Sequence, residues 1–145
     1  YEEAVESYNL IVKLSNEGKL KQYYDGEREV LEHFRFKEIF LRRTKKAFIS
    51  FVPKELIERI RDNKRLTVNI IKKKVQRRIG KLRFGDIREV HGTLLTKCLN
   101  EVEINFLHGR VSSSVFMRNY FNPVWISDLK QRTFKAVADI MQKIS

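Results

Sequence analysis

Arg88, Arg110 and Tyr120 are the residues whose types and spacing suggest chemistry: Tyr120 lies ten residues after Arg110 and thirty-two after Arg88. An arginine offers a planar, two-pronged donor that matches a phosphate. Arg88 falls near the start of a helical stretch, beside its apolar stripe, and Gly92 one turn on leaves room for something to approach. A tyrosine hydroxyl is a weak nucleophile until something activates it, and a lone tyrosine on a short helix is ordinarily a packing residue. His108 competes with Arg110 for a phosphate contact, and His91 is a further titratable candidate in the same stretch. Lys45 and Lys46 lie on a basic turn. The chain carries no Gly-rich phosphate loop, no His–Cys cluster and no acidic triad. Its one cysteine, Cys98, allows neither a disulfide framework nor a thiolate metal site. No cofactor and no metal is therefore expected.

Those residues need elements to hold them. Ala4, Val5, Tyr8, Ile11 and Val12 recur at helical spacing from Tyr1 to about Leu14, and Asn16-Glu17-Gly18 stops that helix. Residues 19–33 are charged, without period, and read as a connection. Phe34 to Arg42 and Ala47 to Val52 are aromatic and β-branched, which predicts two strands around a basic turn that includes Arg42, Arg43, Lys45 and Lys46. Pro53 closes the second strand and opens a helix marked by Leu56, Ile57 and Ile60.

The remainder reads as helices. Val68, Ile71, Val75 and Ile79 form one stripe, with Lys72, Lys73, Lys74, Arg77 and Arg78 on the wetter sides. Ile87, Val90, Leu94, Leu95 and Cys98 form another, with Asp86 as its expected cap. Val102 to Leu107 is a short apolar helix, and Ser112-Ser113-Ser114 starts one running to Tyr120. Asn122-Pro123 breaks it, and Ser127-Asp128 begins a last helix with Leu129, Thr133, Val137, Ile140 and Met141 on one face. The expected fold is mainly α (α+β), with a small antiparallel sheet.

Composition narrows the partner. Thirty Lys and Arg against eighteen Asp and Glu give 145 residues a net charge of +12. So basic a domain faces a polyanion, and nucleic acid comes first. A basic side chain taken singly is still ordinarily a solvated surface group. No apolar run approaches the ~20 residues of a membrane span. Rich Lys, Arg and Glu with few Gly and Pro would suit a thermophile.

Two stretches carry a resemblance. Gly85-Asp86-Ile87-Arg88-Glu89-Val90-His91-Gly92-Thr93-Leu94-Leu95 resembles the second conserved box of the tyrosine recombinases, with Arg88 on the box's arginine. Phe106-Leu107-His108-Gly109-Arg110, followed by Ser112 to Tyr120, resembles the third, with Gly109 and Tyr120 aligned and Arg110 where the box has His or Trp. The Gly-Arg pair is most similar to archaeal integrases of the spindle-shaped-virus type. Lys45, followed by Lys46-Ala47-Phe48-Ile49-Ser50-Phe51, resembles their hairpin lysine, with Lys46 one residue away as the alternative.

The resemblance implies a site-specific recombinase that integrates a mobile element, viral or plasmid, into a chromosome. Tyr120 would attack a scissile phosphate and leave a 3′-phosphotyrosine, Arg88 and Arg110 would hold its oxygens, and Lys45 would protonate the leaving 5′ oxygen. Arg88, Arg110 and Tyr120 are expected around one basic cavity. Double-stranded DNA is the implied partner, contacted by Arg42, Arg43, Lys72, Lys73, Lys74, Arg77 and Arg78. Assembly would be tetrameric on DNA and monomeric in isolation, in the cytoplasm on host DNA. Residues 1–145 would form a single catalytic domain, a fragment lacking the N-terminal arm and the start of that domain. The family's first arginine would fall just before Tyr1, with Glu3 on the accompanying glutamate; Lys19 is a poorer alternative. Gly85 stands where bacterial members have His, which leaves the general base open. The rivals are a type IB topoisomerase-like strand transferase and a non-catalytic basic DNA-binding module.

Overall fold

A computed structural model describes residues 2–42, 45–80 and 83–144. Helix α1, Glu2–Asn16, buries Val5, Ile11, Val12 and Leu14 on one face. It ends where the Lys19 N–H donates back to the Leu14 carbonyl at 2.8 Å, a reversal made possible by Gly18 at φ +70°. After a 3₁₀ turn at Leu20–Gln22, the stretch expected to be a connection contains a hairpin, β1 (Tyr24–Asp25) and β2 (Val30–Leu31). The Asp25 carboxylate accepts the Glu27 and Arg28 backbone N–H groups at 3.1 and 3.2 Å, which organises the turn between them.

The aromatic run that follows is not the long strand its composition suggests. His33–Arg35 is a 3₁₀ turn and Lys37–Phe40 is helix α2, so only β3 (Leu41–Arg42) pairs across the basic turn with β4 (Lys45–Lys46). Ser50–Phe51, β5, turns away and pairs with β2, giving a three-stranded antiparallel sheet in the order β1-β2-β5. Arg43, and the side chains of Arg42 and Lys45, lie outside the described residues.

Five further helices follow: α3 (Lys54–Arg61), α4 (Val68–Arg78), α5 (Phe84–Leu95), α6 (Glu101–Leu107) and α7 (Ser113–Tyr120), before the last, α8 (Pro123–Ile144). Two starts differ from expectation. Helix α5 begins two residues before Asp86, whose carboxylate reaches back from the first turn to the Arg83 backbone N–H at 3.1 Å. Helix α8 begins at Pro123, where a missing N–H costs nothing, and the Asn122 side chain accepts the Trp125 N–H at 3.1 Å. Among the described residues no helix is long and apolar enough to cross a membrane.

Two apolar cores lie on either side of β2. Side chains of successive strand residues point to opposite faces. Val30 joins Phe48, Leu95, Phe106, Phe116, Tyr120, Ile126 and Leu129, while Leu31 joins Ile11, Leu14, Tyr23, Phe40 and Ile57. His33, buried at the same level, bonds the Tyr23 hydroxyl at 2.6 Å and the Ser50 hydroxyl at 2.8 Å. Helix α4 is different in kind: none of its residues is buried, and its tie to α1 is made just ahead of it, where Asn9 bonds both the N–H and the carbonyl of Leu66.

Candidate active site

Helix α5 and the turn after α6 bring four of the expected residues together. The Arg88 guanidinium donates to the His108 carbonyl at 2.7 Å, and His91 Nδ1 lies 3.1 Å from His108 Nε2, the two rings stacked at 5.3 Å. Gly92 lies against this pair: a Cβ there would sit 3.4 Å from the His108 ring, at van der Waals contact. The room that the sequence leaves beside Arg88 is thus filled by His108. Gly85, on the first turn of the same helix, faces open space.

Gly109 then locks the turn against the hairpin. Its φ of +70° suits glycine, and a Cβ would fall 1.7 Å from the Lys46 carbonyl oxygen. No other residue could let strand β4 press so closely on the segment that carries Arg110. Arg110 itself is exposed; its N–H donates to the Asn105 carbonyl at 2.8 Å, and its guanidinium reaches the Asn105 side chain at 3.5 Å.

The electrostatics agree with the convergence. His108 is pushed down to about 4, first by burial and then by the charges of His91, Arg88 and Arg110. Burial likewise lowers His91. Arg88 is lowered by burial and by the neighbouring Arg110 charge. Both imidazoles are therefore neutral near pH 7, beside guanidiniums whose protein partners are a backbone carbonyl and an amide. The buried His108 Nδ1 has no hydrogen-bond partner. An anion set among these groups would meet two forked donors.

Tyr120 keeps a different set of contacts. It closes the C-terminal end of α7, whose eight residues span about 12 Å, while Arg110 precedes the other end. The tyrosine is fully buried, and its hydroxyl donates to Glu32 Oε2 at 2.7 Å. Phe34, Phe116 and Phe121 pack around the ring, and the Arg28 guanidinium lies over it, 4.5 Å from the centroid. Burial, then the bond to Glu32 and its charge, drive the phenol well above its ordinary value, with Arg28 pulling the other way. The charges that act on it come from Glu32, Arg28 and Asp25 rather than from Arg88 or Arg110. In this conformation the Tyr120 hydroxyl is engaged by Glu32, 88 residues earlier in the chain, and neither Arg88 nor Arg110 is among its described contacts.

That contact was missed by sequence reasoning, although a signal existed. Glu32 sits inside the apolar run Val30-Leu31-Glu32-His33-Phe34, where a carboxylate survives only if paired. The basic candidates on α4 lie on the surface. Lys73, Lys74, Arg77 and Arg78 are exposed on α4, as is Lys72 on the same helix. Lys19 is followed only by the three-residue turn at Leu20–Gln22.

Comparison with known proteins gives one finding. Neither the curated proteins nor the solved structures compared with the chain match it. A family model described as archaeal phage integrase matches residues 9–139, which spans the paired histidines, both clustered arginines, the basic hairpin and Tyr120. The chain belongs to the archaeal phage integrase family.

Proposed function

We propose that this chain is the strand-cutting and strand-joining domain of an integrase, working on duplex DNA through a 3′-phosphotyrosine at Tyr120. The observation that carries the reading is the convergence of Arg88, Arg110, His91 and His108 against the strand that holds Lys45 and Lys46. In the proposed step the Tyr120 oxygen bonds to phosphorus and the bond to the 5′ oxygen breaks, which leaves the 3′ end on the protein. Arg88 and Arg110 hold the non-bridging oxygens where charge grows. Lys45 gives the departing oxygen its proton, and Lys46 is the alternative acid. His91 and His108, uncharged near pH 7, are in the form that accepts the phenolic proton. Joining is the reverse reaction with a new 5′ hydroxyl, and the covalent bond conserves the energy. The basic face of α4, with the turn at Arg42 and Arg43, would follow the DNA backbone, and copies of the chain would assemble as a tetramer on it, in the cytoplasm.

The test is a duplex nicked beside the scissile phosphate, so that the freed fragment diffuses away and the adduct is trapped. Wild-type protein should accumulate covalent complex, and Tyr120→Phe should form none while still binding DNA. Undiminished adduct in that variant sinks the reading. A second reading is favoured by the burial of Tyr120: a DNA-binding module whose tyrosine only packs. It expects no adduct from the wild type either.

A further inference from the structure

The contacts on Tyr120 form a closed set. The hydroxyl is held at the ring's edge by Glu32 and the face is covered by Arg28. Glu32 is itself 4% exposed, with Arg35 Nε 3.1 Å from one carboxylate oxygen and Arg28 Nη2 3.9 Å from the other. Arg28 is fixed in turn by Asp25 at 2.9 Å. The Glu32 backbone N–H donates to the Tyr23 carbonyl at 2.7 Å, so the acceptor cannot drift with the phenol. A ring in this setting cannot meet a phosphodiester, because a DNA phosphate cannot shed its water to enter an aromatic core. A carboxylate acceptor also keeps the proton on the phenol, which is the form that does not attack.

We infer that Glu32 and Arg28 are an autoinhibitory latch, which stores the Tyr120 hydroxyl inside the core and must open before it can reach a phosphate held by Arg88 and Arg110. This rests on the reading of Tyr120 as the nucleophile. The latch is placed to answer DNA. Arg28 and Arg35 keep the Glu32 charge tolerable, and their side chains are 31% and 54% exposed. Backbone phosphates that draw those guanidiniums outward leave a buried carboxylate short of partners, which weakens its hold on the phenol.

Two readouts on the full chain test it, nitration of Tyr120 by tetranitromethane, mapped by mass spectrometry, and the rate of covalent trapping on the nicked duplex. In the free wild-type protein Tyr120 should be protected relative to the urea-unfolded chain. Glu32→Gln keeps an acceptor oxygen but loses the charge, which about halves such a bond. It should raise Tyr120 nitration and the trapping rate together, by about fivefold. Arg28→Gln, at a partly exposed position, should move both in the same direction and serves if Glu32→Gln does not fold. A wild-type Tyr120 that nitrates as fast folded as unfolded overturns the latch. So does a folded Glu32→Gln and Arg28→Gln pair that nitrates and traps at the wild-type rate. If the variants nitrate faster yet no protein, wild type included, forms adduct, the nucleophile reading falls and takes the latch's inhibitory meaning with it. If the wild type forms adduct and the variants form it no faster, the latch alone falls.

Discussion

Arg88 and Arg110 in one cluster, and Arg28 and Arg35 in another, are the same chemical group put to different uses. The first pair is answered by a backbone carbonyl and an amide oxygen, so its charge is left for something outside the protein. The second pair is answered by Asp25 and Glu32, and its charge is consumed in making a buried acid acceptable. The histidines repeat the contrast. His108 keeps a buried ring nitrogen without a partner, whereas both nitrogens of His33 are bonded. An incompletely satisfied cluster is a binding site in waiting; a completely satisfied one is architecture. The difference explains why a basic surface and a buried reactive group can share one small fold without neutralising each other.

The comparison can be pressed hardest at the hairpin. If the open cluster does chemistry and not only binding, Lys45→Ala should slow cleavage of bound duplex by about 10²–10⁴. A substrate with sulfur in place of the bridging 5′ oxygen needs no proton on leaving, so the defect should largely vanish there. Lys46→Ala should weaken binding on both substrates alike. Rescue of Lys46→Ala instead would move the acid by one residue, and rescue of neither would make the hairpin a clamp.

A smaller effect is expected at Arg88. Arg88→Ala removes a donor to the growing charge and should lower the trapping rate by about 10²–10³ with the Tm nearly unchanged, since its protein partner is a single carbonyl. Arg28→Ala should do the reverse, costing stability because it strips a partner from buried Glu32. Equal behaviour of the two variants would erase the distinction between the clusters.

Gly109→Ala tests the lock between them. A left-handed φ costs about 1–2 kcal/mol for a residue with a Cβ, and the Lys46 carbonyl must also retreat from 1.7 Å. Thermal unfolding should show a loss of at least that size; an unchanged Tm would mean that the hairpin is not seated on the Arg110 turn.

The smallest difference is in pH. His33 and His108 are both lowered to about 4, His33 by burial and His108 by burial and neighbouring cations. Unfolded, each takes a proton near 6.5; folded, neither does until about 4. Their stabilising contribution is thus full above pH 6.5 and is lost as pH falls from 6.5 towards 4. Duplex DNA should soften the loss that His108→Gln removes, because a bound phosphate favours the charged imidazole. It should leave the part due to His33 untouched. A pH profile of Tm that DNA does not alter would contradict this.

The helices from Lys54 onward were legible because apolar residues three and four apart determine them locally. The starts of α5 and α8 shifted by two and four residues, since Asp86 and Asn122-Pro123 act from within or just before the helix. The sheet was not legible. Its strands are two residues long, and β2 pairs with a strand twenty residues away across an aromatic segment that turns helical instead. Arg88 and Arg110 were legible as a pair from the two boxes that carry them, whereas His108 stood only as Arg110's rival and His91 as a further candidate, so their stacking was not foreseen. The partner of the Tyr120 hydroxyl was not legible, because helical spacing gives a residue's place along α7 and says nothing of an acid 88 residues earlier.

Strand β2 carries a last consequence. Val30 faces one core and Leu31 the other, and Glu32 follows them directly. The strand is a party wall: neither room can be gutted while the other stands, so unfolding should be a single cooperative event. The acid that grips Tyr120 is mortared into that wall. Sequence drift at the N-terminal half, far from any arginine of the cluster, is thereby felt as a change in how tightly the tyrosine is kept.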